Sequence, residues 1–228
     1  MPINNRPVLV ALALAALLPV SLVVAMSWGS SGWLWPWALD GSSQALVWEL
    51  RLPRAVAAWV TGALLAVAGC LMQVLLRNPL ADPYVLGLSG GASVFALLGL
   101  STASWLGLQA LPLPVLAFLG ALVTTLIVFV LAQGKGPWST TRVLLTGVVV
   151  AAGWGALISL ILALGSDASL RSMLFWMMGD LSYASLSLPW LLPVFIGLGL
   201  LWFRARSLNV MSQGQVQAAL LGESVRFR

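Results

Sequence analysis

The chain has 228 residues, of which 61% are hydrophobic and only 7% charged, with no histidine and a mean hydropathy of +1.01; an ordinary soluble domain carries about 25% charged residues. That balance excludes a soluble globular enzyme and marks an integral membrane protein. The formal charge of +5 is no nucleic-acid footprint, because no basic cluster is interleaved with aromatic stacking partners; in a membrane protein a basic excess belongs to cytoplasmic loops.

The apolar runs are long and unbroken rather than alternating, so they predict helices and not barrel strands, and the expected fold class is an all-α polytopic transmembrane bundle. Met1–Pro7 is a short polar head with Arg6. Residues 8–28 follow as a first span, too long for the apolar core of a cleaved signal sequence. Residues 27–43 gather Trp28, Trp33, Trp35 and Trp37 among Gly and Ser, which suits an interfacial aromatic belt outside the membrane.

The second span is expected at 55–76 and stops at RNPLADP, where Pro79 and Pro83 forbid a regular helix. In that turn Asn78 and Asp82 are the residues to bond local backbone. Further spans are expected at 85–103, 112–132, 143–164 and 186–203, within one transmembrane domain covering 1–228. The segment 165–185, with Asp167, Arg171 and Asp180, is read as a connection.

With the N-terminus in the cytoplasm, alternation places Arg6, Arg77, Lys135, Arg142, Arg204, Arg206, Arg226 and Arg228 inside and Arg51, Arg54 and Arg171 outside. Eight basic residues against three obeys the positive-inside rule, and no Asp, Glu, Lys or Arg falls within any expected span. Proton-coupled carriers keep an ionisable residue inside the bundle, so transport here would have to be driven by a partner. Without His or a carboxylate pair, no catalytic, cofactor or metal site is expected. Cys70, alone in an apolar run, reads as a small core residue.

Small residues at four-residue spacing let membrane helices approach closely. One such ridge is Ala58, Gly62 and Ala66 in the second span; another is Gly147, Ala151 and Gly155, continued by Ser159, in the fifth. Both are candidate packing faces.

The elements LRLPR, GALLAVAG, Gln73, RNPLADP and LGLSGGA, followed by WSTTRVLLTGV, LRSMLFWMMG and RSLNVMSQGQVQAALLG, stand in one order from Glu49 onward. Together they resemble the permease subunits of type II ABC importers, the FecCD family, which import vitamin B12, haem and iron–siderophore complexes. The resemblance implies an inner-membrane permease with no cofactor of its own. It also implies assembly with a second permease copy, ATP-binding cassette ATPase subunits and an extracytoplasmic substrate-binding protein.

On that resemblance Arg51 and Arg54 match periplasmic arginines that receive acidic residues of the binding protein in charge-assisted pairs; the residues alone would equally allow an interfacial snorkelling pair. Thr140 and Thr141 match small hydroxyl residues that narrow the cytoplasmic end of the path in vitamin B12 permeases, and are otherwise ordinary loop residues. The segment 207–222 matches the cytoplasmic coupling helix that docks on the ATPase, with Gly214, Gln215, Ala218, Leu221 and Gly222 at its key positions. Gln215 stands where an acidic residue is common and Ala219 where a basic one is frequent, so docking by shape is expected to outweigh docking by charge. WMMG after LRSML leans towards vitamin B12 permeases, whereas RNPLADP fits haem and siderophore permeases equally.

The family pattern runs on through four further helices of a ten-helix bundle and a later periplasmic basic residue, whereas this sequence closes at Arg228. The expectation is therefore the first six helices and the coupling segment of a metal-chelate permease. A truncated nonfunctional fragment, a membrane scaffold and a secondary carrier are the competing readings.

Overall fold

The computed structural model describes residues 6–37, 41–106, 112–134, 139–181, 184, 188–212 and 220. Among them the order is α1 (Arg6–Ser27), a short antiparallel pair β1 (Trp28–Gly29) and β2 (Gly32–Trp33), α2 (Ser42–Ala45), a π-helical turn (Leu46–Arg51) and α3 (Leu52–Leu76). A 3-10 turn (Pro83–Leu86), α4 (Leu88–Leu106), α5 (Leu113–Gln133), α6 (Thr140–Leu164), α7 (Asp167–Met178) and α8 (Leu188–Ser212) follow. The class is the expected all-α polytopic bundle. Among the described residues five segments are long and apolar enough to cross a membrane, namely Val8–Ser27, Ser43–Leu76, Leu113–Gln133, Thr140–Leu164 and Val194–Met211, and the apolar helix Leu88–Thr102 is shorter.

Two compact units divide the chain, one built from Met1–Leu64 with Leu181–Gly199 and the other from Leu65–Asp180 with Leu200–Arg228. In the first, α1 spans 22 residues, about 33 Å of helix, and most of its leucines and valines, from Val8 to Val20 and Val24, lie exposed. In a bilayer they face lipid. α1 ends at the strand pair, where Trp28 stands opposite Trp33 and Gly29 opposite Gly32. The π-helical turn packs on α1, and its Val47 is fully buried. The turn passes into α3 through a wide-register bond from the Leu52 amide to the Val47 carbonyl. Pro53 comes next and has no amide proton to give, which is why the ladder widens at this point. The second expected span, 55–76, is thus the end of one helical run from Ser43 to Leu76. A hydrogen bond of 3.2 Å from Trp59 Nε1 to Ser21 Oγ joins α3 to α1.

The second unit is organised around RNPLADP. The Asn78 amide bonds the Gln73 carbonyl at 3.2 Å and the Arg77 amide the Val74 carbonyl at 3.4 Å, the paired bonds of a Schellman helix end. Arg77 takes the left-handed conformation at φ 48°. Asn78 Oδ1 then accepts from the Leu80 amide at 3.0 Å, and Asp82 Oδ1 caps the 3-10 turn from the Tyr84 amide at 2.7 Å. Both side chains do the local bonding their positions predict.

Gly87 closes the turn at φ 75°, which delays the third helix to Leu88 instead of residue 85. A Cβ on Gly87 would sit 2.9 Å from the Ala151 Cα, and one on Gly147 would sit 2.9 Å from both the Leu86 Cα and the Val85 carbonyl oxygen. The turn is therefore pressed into the small-residue side of α6. Leu86, Val128, Ala132 and Val143 form the buried core beneath it, with Met72, Leu88 and Val150 packed against them.

The tightest crossing lies between α4 and α5. A Cβ on Gly91 would overlap Thr124 Oγ1 and lie 2.7 Å from the Gly120 carbonyl oxygen. Thr124 is fully buried and spends its hydroxyl on Gly120 at 2.8 Å.

Two segments run differently from the expected parse. The stretch read as a connection over 165–185 holds α7, which packs on α4 and buries Met173 completely; Leu170, Met173 and Leu174 supply its apolar stripe despite the nearby charges. The sixth helix does not stop at 203 but runs on to Ser212, taking in the first residues of the 207–222 segment.

Gly87→Ala combines left-handed strain with overpacking, and Gly147→Val overpacks the same contact. Each is expected to cost about 1–3 kcal/mol, read as a lower thermal unfolding midpoint in detergent. Asp82→Ala removes a cap and is expected to cost about 1 kcal/mol; unchanged midpoints would contradict this packing.

Candidate functional site

The last carbonyls of an α-helix have no partner within the helix, and in a membrane protein water is a poor substitute. Arg51 meets that need for α1. Its Nη1 donates to the Met26 carbonyl at 3.0 Å and to the Ser27 carbonyl at 2.8 Å. Its Nη2 donates to Ser31 Oγ at 2.6 Å and to the Gly32 carbonyl at 3.4 Å. The positive fork also lies at the negative end of the α1 dipole. Gly29 makes room for it, because a Cβ there would stand 2.7 Å from Nη2.

Arg54 behaves differently. It is exposed in the first turn of α3, and among the described residues it has no hydrogen-bond or ion-pair partner. The two arginines of LRLPR are therefore not equivalent: one is consumed in holding α1 and the strand pair, and the other is presented outward.

Arg142 repeats the device between α5 and α6. Its Nη1 donates to the Gln133 carbonyl at 3.1 Å and reaches the Ala132 carbonyl at 3.5 Å. Gly134, at φ 51°, would place a Cβ 2.6 Å from the same nitrogen. Thr140 and Thr141 open α6 beside this cap, half-buried and exposed respectively. Neither hydroxyl has a hydrogen-bond partner among the described residues.

The two small-residue ridges are used unequally within the chain. Gly147 and Ala151 pack on the 3-10 turn, whereas a Cβ on Gly155 would meet nothing within 4 Å. Ala58, Gly62 and Ala66 are exposed along α3, and a Cβ on Gly62 would also meet nothing within 4 Å. Gly214, Gln215, Ala218, Leu221 and Gly222 lie outside the described residues. No group of three or more metal-ligating side chains occurs among the described residues. Two open depressions, of about 360 Å³ beside Trp48 and Glu49 and about 550 Å³ along Leu14–Ser21, do not enclose a ligand.

Sequence reasoning missed the back-reaching roles of Arg51 and Arg142 and the Gly91–Gly120 crossing. The available signals were the glycines: Gly29 and Gly134 just beyond the two helix ends, and Gly120 four residues before Thr124.

Residues 8–227 match the FecCD transport family. The vitamin B12 import system permease protein BtuC of Serratia proteamaculans (strain 568) is 37% identical over 217 residues, covering 91% of this chain and 62% of the relative. The protein of the same name from Escherichia coli O1:K1 is 37% identical over 222 residues, covering 95% of this chain and 64% of the relative. A solved structure described as an inward-facing conformation of a metal-chelate type ABC transporter superposes with a TM-score of 0.79 at 25% identity, covering 94% of this chain and 68% of that one. The chain thus spans just under two thirds of the length of the curated relatives it matches.

Arg51→Lys loses the planar fork that reaches several acceptors at once and is expected to destabilise the fold by about 1–3 kcal/mol. Arg54→Lys is expected to stay within about 0.5 kcal/mol. Thermal midpoints in detergent separate the two, and equal shifts would contradict the division of roles.

Proposed function

Because the chain belongs to the FecCD transport family, we propose that it acts as the transmembrane permease subunit of an ATP-binding cassette importer. It carries a metal chelate of the vitamin B12, iron–siderophore or haem class across the bacterial inner membrane. The supporting observation is 37% identity to vitamin B12 permeases across 95% of the chain, and vitamin B12 is the leading substrate. No Asp, Glu, Lys or Arg lies within the six spans expected from sequence, which supports a driving energy from ATP hydrolysed on a partner chain.

The parts then take definite duties. Arg54 is the outward cation that receives an acidic residue of the substrate-binding protein, while Arg51 fixes the edge from which Arg54 projects. Thr140 and Thr141 line the cytoplasmic gate, their spare hydroxyls facing the path. Gly214, Gln215, Ala218, Leu221 and Gly222 form the segment that couples to the ATPase, and the N-terminus is cytoplasmic. A second permease copy completes the path between the two. The open Ala58, Gly62 and Ala66 ridge of α3, with Gly155 of α6, packs against other parts of the assembled permease.

The test is uptake of labelled cobalamin, and separately of a ferric siderophore, into vesicles holding the permease, its ATPase and its binding protein. ATP-dependent uptake of one of them is expected; uptake that needs no ATPase would overturn the reading. Arg54→Glu is expected to weaken capture of the binding protein by about tenfold or more, the worth of one charge-assisted pair turned repulsive, in a pull-down where wild-type protein binds.

A further inference from the structure

The strand pair that follows α1 carries a feature the permease reading does not use. Trp28 meets Trp33 edge-on with ring centres 5.9 Å apart, Trp33 stacks on Trp35 at 6.4 Å, and Trp35 meets Trp37 at 5.3 Å. The four indoles make one continuous ladder, yet each remains about half exposed or more, from 49% at Trp35 to 71% at Trp28. Among the described residues none of their N–H groups has a hydrogen-bond partner. From Trp28 to Trp37 the chain holds no charged residue.

Exposed aromatic ladders meet one of two partners, a protein face or a lipid surface, and three observations favour lipid. The ladder begins where α1 ends, and α1 is apolar and exposed over most of its length. Its 22 residues give about 33 Å of helix against about 30 Å of hydrocarbon, which sets the strand pair at the depth of the headgroups. Each indole there combines an apolar body with an unspent N–H, the combination that suits a phosphate or ester oxygen above acyl chains.

We propose that the Trp28–Trp37 ladder is a phospholipid-binding foot. The indoles seat at the boundary between headgroups and acyl chains, and Arg51 clamps their strand pair to the start of α3. The lipid boundary then holds the end of α1 and the beginning of α3 at one depth, so that movements of the permease occur relative to a fixed edge. The clamp is a positioning role for Arg51, separate from any contact with a partner protein.

The experiment uses the full chain in vesicles of phosphatidylcholine and phosphatidylglycerol, with bromine carried on the acyl chain either near the headgroup or near the terminal methyl. The protein contains 12 tryptophans, so the signal is the difference between wild type and a Trp28→Phe, Trp33→Phe, Trp35→Phe, Trp37→Phe variant. Shallow bromine is expected to quench that difference at least about twofold more than deep bromine, with little quenching by aqueous acrylamide.

Efficient acrylamide quenching without a bromine effect would overturn the proposal. So would shielding that develops only when the substrate-binding protein is added, since the ladder would then be a protein-docking face. Where the quadruple variant fails to insert, single Trp35→Phe gives the same comparison for one indole. Arg51→Lys is expected to abolish the depth preference while the chain stays inserted; an unchanged preference would overturn the clamp. None of these readouts requires transport, so the foot and the permease function can fail independently.

Discussion

A helix in a bilayer must find partners for the carbonyls at its C-terminal end, and this chain meets that demand by sending an arginine back from the following element. Arg51 serves α1 across Gly29, and Arg142 serves α5 across Gly134. In both places a glycine keeps the space a side chain would fill, and the guanidinium adds positive charge at the negative end of the helix dipole. At the end of α3 the chain uses paired Schellman bonds instead, with Arg77 in a left-handed conformation. The constraint on the backbone is thus linked to which side chains are spent and which stay exposed.

That link separates residues that look alike in sequence. Arg51 and Arg54 are three residues apart in one motif. The guanidinium of Arg51 already serves four acceptors, whereas Arg54 is exposed. Arg142 secures the α5–α6 turn, while among the described residues Thr140 and Thr141 keep unspent hydroxyls beside that cap.

Much of the fold was legible because the membrane leaves so few choices. Long runs without charge must be helices, and Asn78 and Asp82 in a proline-rich turn can do little but bond the nearby backbone. α7 escaped notice since Asp167 and Arg171 masked the stripe of Leu170, Met173 and Leu174. The π-helical turn escaped because the second span was expected to begin only at residue 55, whereas the helical run starts at Ser43. The candidate site was less legible still. Arg51 finds its carbonyls 24 and 25 residues upstream, a pairing that only the fold creates. The α3 ridge shows the reverse case: Gly62 was recognisable as a packing residue, but among the described residues nothing lies within 4 Å of a Cβ placed there.

The central claim, that Arg51 holds the end of α1 through the space left at Gly29, is tested most directly by a double-mutant cycle between those two residues. Gly29→Ala should lower the thermal midpoint in the wild-type background, because its methyl displaces the guanidinium. It should cost little in an Arg51→Ala background, where the guanidinium is already gone, giving a coupling of about 1 kcal/mol or more. Strictly additive effects would contradict the claim.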